Sequence, residues 1–404
     1  MRYPEALAWL YGTQMFSIKL GLDQVRMLAG IHGGWKQKQR FIHVAGTNGK
    51  GSVCAMLDSI CRAGGIRTGL YTSPHLVTFR ERIRLNGAMA EEEEIAEELT
   101  RIRTWCESMD AHPTFFEITT TLALVLFQRH EMDVVVLETG LGGRLDATNI
   151  VRQPVATVIT SIGMDHMQYL GDSLEKIAWE KAGIIKPGVP VITGVLPSEA
   201  AEVIQKEAAK WDAPLSTVSE PVEGLEVGLK GAHQRVNAAV AWRALEAAGI
   251  AVTREQAAEG LRNVNWPGRF QDTGRGFILD GAHNPEAAAR LAQTWREEYG
   301  GRRAEIIVGI VRDKDARGIC AELAAIAERF TVVPVPGPRG GGVEALVEIA
   351  GALRPSRACA SLAEAIATTT PEQMPALITG SLFLMGEALV TLGLAAEAQE
   401  ISAQ

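Results

Sequence analysis

The stretch Phe41-Ile42-His43-Val44, running into Ala45-Gly46-Thr47-Asn48-Gly49-Lys50-Gly51-Ser52, decides the fold of this chain. A strand-like apolar run turns through three glycines into Val53–Arg62, whose apolar residues carry helical spacing. Glycine allows the backbone to approach an anion closely, and a helix start offers several unpaired N–H groups. The segment therefore reads as a seat for phosphates, with Lys50 bringing a point charge to the outer ones. It departs twice from the pattern G-x-x-x-x-G-K-[ST]: Val44 stands at the first glycine, and Gly51 separates Lys50 from Ser52. The bland alternative is a glycine-rich strand-to-helix turn.

Around this stretch, strand-like runs alternate with helical patterns, the signature of a parallel sheet covered on both faces. Phe41–Ala45, Thr68–Thr72, Val134–Thr139, Thr157–Ile162 and Val189–Thr193 read as strands, and Ile95–Cys106 as a helix. A second series runs through Phe277–Asp280, Glu305–Ile310, Thr331–Val335 and Leu377–Gly380, with helices starting near Asn284, Ala316, Gly342 and Leu382. Between the two series, Trp266-Pro267-Gly268-Arg269 breaks regular structure. The expectation is an α/β chain of two units: a larger P-loop ATPase-type domain with a mainly parallel sheet over residues 1–268, and a smaller Rossmann-like α/β domain over 269–404.

Composition narrows the class. A net charge of -8 over 404 residues is no nucleic-acid footprint, so an anionic ligand must be met by local basic groups. Five scattered cysteines without a C-x-x-C pair read as reduced thiols. No signal-peptide core and no run of membrane-spanning length is present, so a soluble cytoplasmic protein with no membrane partner is expected.

Further constellations carry chemistry. Val134–Leu137 ends in Glu138, where P-loop enzymes place a metal-side acid; a turn acid is the alternative. The strand before Gly163 leads to Asp165 and His166 at the same sheet edge, where ligands gather in open α/β folds, although a lone histidine is more often structural. Lys181 lies in a largely apolar helix, with a salt bridge to Glu175 or Glu180 as the default. Leu279-Asp280-Gly281-Ala282-His283-Asn284-Pro285 is another strand end, with Asp280 and His283 facing a cleft and Asn284 as N-cap. Arg80, Arg82 and Arg84 alternate along Phe79–Leu85, so in an extended conformation they share one side. That side would serve either carboxylate recognition or pairing with Glu81 and the acidic run Glu91–Glu94.

Taken in order, these segments resemble the folylpolyglutamate synthase and dihydrofolate synthase family, a branch of the Mur ligase superfamily. The resemblance runs through Lys19-Leu20-Gly21-Leu22, Ala45–Ser52, Thr72–Leu76, Phe79–Gly87, Phe115–Glu117, Glu138–Asn149, Asp165-His166, Glu180–Ile184, His233–Ala238, Pro267–Phe270, Leu279–Pro285 and Asp313–Asp315. The family's own loop carries the same two departures from the P-loop pattern.

The resemblance implies a two-domain Mur ligase architecture and an ATP-dependent ligase. It would join L-glutamate to dihydropteroate or a reduced folate through an acyl phosphate, with both reactions expected. Thr47, Asn48, Gly49, Lys50, Gly51 and Ser52 would hold ATP with Asn237, Arg269, Asp280 and His283. Ser73, Glu138, His166 and Lys181, the last as a carbamate, would hold Mg²⁺ at two sites, and K⁺ is an optional addition. Phe79, Arg80, Phe116, Asp146 and Ala147 would line the pterin side. Lys50, Lys181, Asp280 and His283 are the expected catalytic groups, with Asp280 or His283 taking the proton of the glutamate amine, and a monomer is expected. Two other readings remain: a cell-wall amino-acid ligase of the same superfamily, and a nucleotide-dependent switch. The aromatic Phe115-Phe116-Glu117 segment speaks against the first, and the acidic and imidazole groups of the second series against the second.

Overall fold

The computed structural model describes residues 1–15, 21–31, 39–337, 339–395 and 399–400. Lys19 and Leu20 of the family-like motif lie outside the described residues. The described strands form two sheets. The first contains β1 (Arg40–Ala45), β2 (Thr68–Tyr71), β3 (Ile83–Leu85), β4 (Ala88–Met89), β5 (Val134–Glu138), β6 (Ala156–Ile159), β7 (Val191–Thr193) and β8 (Leu215–Thr217). Their order is β4-β3-β2-β5-β1-β6-β7-β8, parallel from β2 to β8, with β3 and β4 antiparallel at one edge. The second contains β9 (Gln271–Asp272), β10 (Phe277–Asp280), β11 (Ala304–Val308), β12 (Ala327–Val332), β13 (Ser356–Ala358) and β14 (Ala376–Thr379). Its order is β13-β12-β11-β14-β10-β9, and only the β9 edge is antiparallel.

Burial on both faces explains why the central strands are continuously apolar. Along β1, Phe41 joins one core with Tyr71, Phe115 and Val135, while Ile42 and Val44 join the opposite core with Met56, Leu70 and Val136. The period-2 alternation thus divides one strand between two cores. Truncating a fully buried ring such as Phe41 or Phe127 to alanine should cost ~3–5 kcal/mol. In register, Val44 lies opposite Glu138, so the β1 loop and the β5 acid leave the sheet side by side at its carboxyl edge.

The strand expectations hold with shifted ends. Thr157–Ile162 stops at Ile159, Val189–Thr193 begins at Val191, and Thr331–Val335 is instead Ala327–Val332, whose charged Glu328 and Arg329 masked its start. One expectation is corrected: Phe79–Arg82 is a turn of 3₁₀ helix, so the three arginines do not share a side. The cause is local. The Glu81 carboxylate accepts the N–H groups of Leu76, Val77 and Thr78 at 2.9, 2.7 and 2.9 Å, folding the chain before the strand begins.

Candidate active site

Gly49 caps the helix Lys50–Ala63 with φ +85, a left-handed conformation that favours glycine. Gly46 is required for a different reason, since a Cβ there would fall 1.9 Å from Thr160 Oγ1. The loop is pinned from β6: Thr47 N and Asn48 N donate to Ser161 O and Oγ at 2.8 and 2.9 Å, and Thr160 Oγ1 donates to Asn48 O at 2.6 Å. Lys50, Gly51 and Ser52 therefore open the helix with amides that have no intrahelical acceptor, the arrangement that seats phosphates. Lys50 Nζ folds back onto Gly46 O and Thr47 O at 3.0 and 3.2 Å.

A cavity of about 790 Å³ lies between the two sheets. Its wall contains Thr47, Asn48, Gly49, Lys50, Gly51, Ser52, Ser73, Phe116, Glu138, Asp146, Ala147, His166, Lys181, Asn237, Arg269, Asp280 and His283. Two expected pterin residues are not there. Phe79 is fully buried in the core against Phe115, and Arg80 donates to Ala90 O and lies 3.7 Å from both Glu91 and Glu92. Of the alternating arginines, Arg82 reaches the wall instead.

Lys181 is buried, and its Nζ donates to Gly46 O at 2.9 Å. The expected salt bridge to Glu175 or Glu180 does not form: Glu180 pairs with Arg144 at 2.8 Å, and adjacent helical residues face apart. Burial, then the neighbouring Lys50, lowers the Lys181 pKa to about 7. Glu138 is buried too, and its Oε2 accepts the Ser73 N–H at 3.0 Å. Burial raises its pKa, with Lys50 and that N–H opposing. A buried carboxyl with no ion-pair partner among the described residues, in a cavity whose wall also carries the Ser73 hydroxyl and the His166 imidazole, has donor types that suit a hard divalent cation. No three His, Cys, Asp or Glu side chains converge among the described residues, so protein would supply part of the coordination and phosphates or water the rest.

His166 occupies a left-handed conformation, φ +51, held by its N–H to Asp165 Oδ1 at 2.8 Å; burial, then Lys314, lowers its pKa to about 4. Asp165 joins the two halves. Its Oδ1 receives Lys314 Nζ, its Oδ2 receives Asn284 Nδ2 at 3.2 Å, and His283 Nε2 stands 4.0 Å away. Burial alone would raise its pKa, but His166, Lys314 and His283 outweigh it and hold the carboxyl below the usual carboxylate range. Asn48 and Asn284 exchange amide hydrogen bonds at 3.3 and 3.0 Å across the same seam.

Asp280 takes Phe270 N and Ala282 N, both at 2.9 Å, and burial raises its pKa against Arg269. His283 Nδ1 faces Gly281 O at 2.8 Å and so carries the proton, leaving Nε2 as an acceptor; burial, then Lys314, lowers its pKa to about 4. Asp146 accepts four donors of its own loop: Gly140 N, Leu141 N, Thr148 N and Thr148 Oγ1. Sequence reasoning missed Asp165 as the cross-domain anchor and gave Gln234 no role, although Gln234 links Ser52 Oγ at 3.3 Å to Asn237 at 3.0 Å. It also left Lys314 without a role, although Asp313–Asp315 had been singled out as a motif. A helical pattern on His233–Ala238 would have placed Gln234 and Asn237 on one face.

With a phosphate-type loop on one α/β unit and an acid and an imidazole from a second lining the same cavity, the chain has the two-unit build of the Mur-type ATP-dependent ligases. The pattern described as Mur ligase middle domain matches residues 44–223, and that described as Mur ligase, glutamate ligase domain matches 268–382. The chain is 36% identical over 371 residues to the dihydrofolate synthase/folylpolyglutamate synthase of Bacillus subtilis, covering 83% of this chain and 86% of that one. It superposes on Escherichia coli FolC in complex with DHPP and ADP with a TM-score of 0.88, at 32% identity over 98% of each chain. It also matches the Yersinia pestis bifunctional folylpolyglutamate synthase/dihydrofolate synthase complexed with AMPPNP and Mn ion: TM-score 0.86, 31% identity, 97% of this chain and 98% of that one. The chain belongs to the folylpolyglutamate synthase/dihydrofolate synthase family of Mur ligases.

Proposed function

We propose that this enzyme, an ATP-dependent ligase that joins glutamate to folates, performs both family reactions, on dihydropteroate and on reduced folates. The observation that carries the reading is a single cavity in which Lys50, Glu138 and Lys181 from the first unit face Asp280 and His283 from the second. The proposed division of labour is residues 1–268 for nucleotide and acceptor and 269–404 for glutamate, supported by the two sheets and by cores that are distinct except where Leu76 and Val77 pack into that of the second sheet.

The loop amides and Lys50 bind the outer phosphates of ATP and lower the repulsion between them and an incoming carboxylate. The carboxylate oxygen attacks the γ-phosphorus, the bond to the β-phosphate oxygen breaks, and ADP leaves an acyl phosphate. The amine of L-glutamate then attacks the acyl carbon and phosphate departs. We assign acceptance of the amine proton to His283, whose Nε2 lone pair is free of its Gly281 contact, whereas both Asp280 oxygens hold backbone N–H groups. The seam through Asp165, Lys314, Asn48 and Asn284 keeps water from the acyl phosphate. Ser73, Glu138, His166 and Lys181, the last as a carbamate, would hold Mg²⁺, which supplies charge neutralisation at the phosphates when bound. A Lys181 pKa near 7 supports the carbamate, because only the neutral amine adds CO₂. Phe116, Asp146 and Ala147 form the pterin wall in this reading, with Asp146 fixing its loop. K⁺ and a monomeric state belong to the same proposal, as does a cytoplasmic location, supported by five buried unpaired cysteines.

The test is purified protein with MgATP and labelled glutamate, offered dihydropteroate and tetrahydrofolate separately. Label entering both acceptors supports bifunctionality. Label entering one restricts the reading to that reaction, and none entering either refutes it.

A further inference from the structure

Arg82 is 1% exposed, yet it forms part of the cavity wall. Its Nε donates to His75 Nδ1 at 2.8 Å, and its guanidinium carbon lies 5.1 Å from the centre of the Phe115 ring. Its Nη2 is buried without a hydrogen-bond partner. Among the described residues no carboxylate lies in ion-pair contact with it: Glu81 is engaged by three backbone N–H groups, and Glu138 accepts from Ser73. A buried guanidinium without an anion is costly, and so is an unsatisfied donor beside it. Protein seldom retains such a group unless a ligand completes it.

Its surroundings are built to hold it. His75 accepts from Arg82 at Nδ1, so its Nε2 carries the proton and donates to Glu400 O at 2.7 Å. Glu400 in turn receives Phe79 N at 2.6 Å and Thr78 Oγ1 at 3.3 Å, and donates its own N–H to Val77 O at 2.7 Å. The loop bearing Arg82 is thereby fastened to a distant part of the chain. At its other end, Arg82 O accepts Thr72 N at 3.1 Å, which places the arginine beside Ser73 and Glu138 at the phosphate end of the cavity.

We infer that Arg82 receives the carboxylate of the acceptor acid, the one that is phosphorylated, and sets it in line with the outer phosphate. The inference rests on the ligase reading above. A planar fork with one nitrogen fixed by His75 and another unsatisfied suits a carboxylate oxygen. His75 and Glu400 are positioning residues for that fork.

The test compares two ligands, dihydropteroate and the same compound with its carboxylate replaced by a carboxamide, bound to the full chain with a non-hydrolysable ATP analogue. Wild type should prefer the acid by roughly 10- to 100-fold, the size of a charge-assisted hydrogen bond in a dry site. Arg82→Gln should bind acid and amide within about threefold of each other. A merely structural arginine would weaken both ligands equally and keep the preference, which overturns the inference. Should Arg82→Gln not fold, Arg82→Lys decides, because it keeps charge but loses the fork: a reduced preference supports the assignment and an unchanged one overturns it. Failure here leaves wild-type ligation of labelled glutamate intact, whereas failure of the ligase reading abolishes it.

Discussion

Lys50 and Lys181 donate to one and the same acceptor, the carbonyl oxygen of Gly46, at 3.0 and 2.9 Å. Two ammonium groups converging on a single oxygen in a buried site cannot both be comfortable as cations. Lys181, the more deeply buried, yields, and its pKa falls to about 7 through burial and through Lys50, against the opposing pull of Asp165 and Asp146. The folded form binds fewer protons than the unfolded chain between about 7 and the ordinary lysine value, so the penalty is full below about 7 and fades as pH rises. In CO₂-depleted buffer, Lys181→Met should therefore be more stable than wild type at pH 6, by ~2–5 kcal/mol, with the gap closing towards alkaline pH. Thermal melts across that range check it.

The same depressed pKa makes Lys181 reactive towards CO₂. Intact-mass measurement should show a carbamate increment on wild type that grows with bicarbonate and with pH through about 7, and none on Lys181→Ala. Ligation by Lys181→Ala should be nearly absent and partly restored by a short carboxylate. Full activity with an unmodified Lys181 would rule the carbamate out.

Lys50→Ala should lose ligation by ~10³-fold or more, because loop amides alone cannot meet the charge of the outer phosphates. Acceptor binding should stay near wild type. Near-normal turnover would remove the phosphate assignment.

Phe79 and Arg80 were expected at the pterin side and were found elsewhere, so Arg80→Ala should leave the acceptor KM within about threefold of wild type, because its contacts are with Ala90 O, Glu91 and Glu92 and not with the cavity. Steady-state kinetics with dihydropteroate settles this. An acceptor KM raised tenfold would return Arg80 to the site.

That displacement shows what the sequence could and could not disclose. The phosphate loop was legible because glycine at Gly46 and Gly49 answers two local demands, a close approach to Thr160 and a left-handed cap. Glu138 and His166 could be placed because β5 and β6 end at the same carboxyl edge of the first sheet, and Asp280 because it ends β10 at the corresponding edge of the second, whatever the loop details. The arginines were not, because alternation predicts a shared side only in extended backbone. The capping of Leu76, Val77 and Thr78 by Glu81 replaces that backbone with a 3₁₀ turn. Lys314 and Asp165 lie far apart in sequence, and only the meeting of the two units pairs them.

Because Lys314 and Asp165 bridge the units, Lys314→Ala should lower kcat by about 10- to 100-fold, since it leaves a desolvated carboxylate at the closing seam. Small-angle scattering should show a more open average shape in the variant. Unchanged scattering and unchanged kcat would deny the seam a part in closure.

An acyl phosphate forms only if an oxygen of the acceptor carboxylate attacks the γ-phosphorus of ATP. The direct measurement uses an acceptor whose carboxylate carries heavy oxygen, with MgATP and L-glutamate, and mass analysis of the phosphate released. Heavy oxygen should pass from the acceptor into that phosphate as each amide forms. Phosphate released without label, or ATP turnover indifferent to acceptor and glutamate, would contradict it.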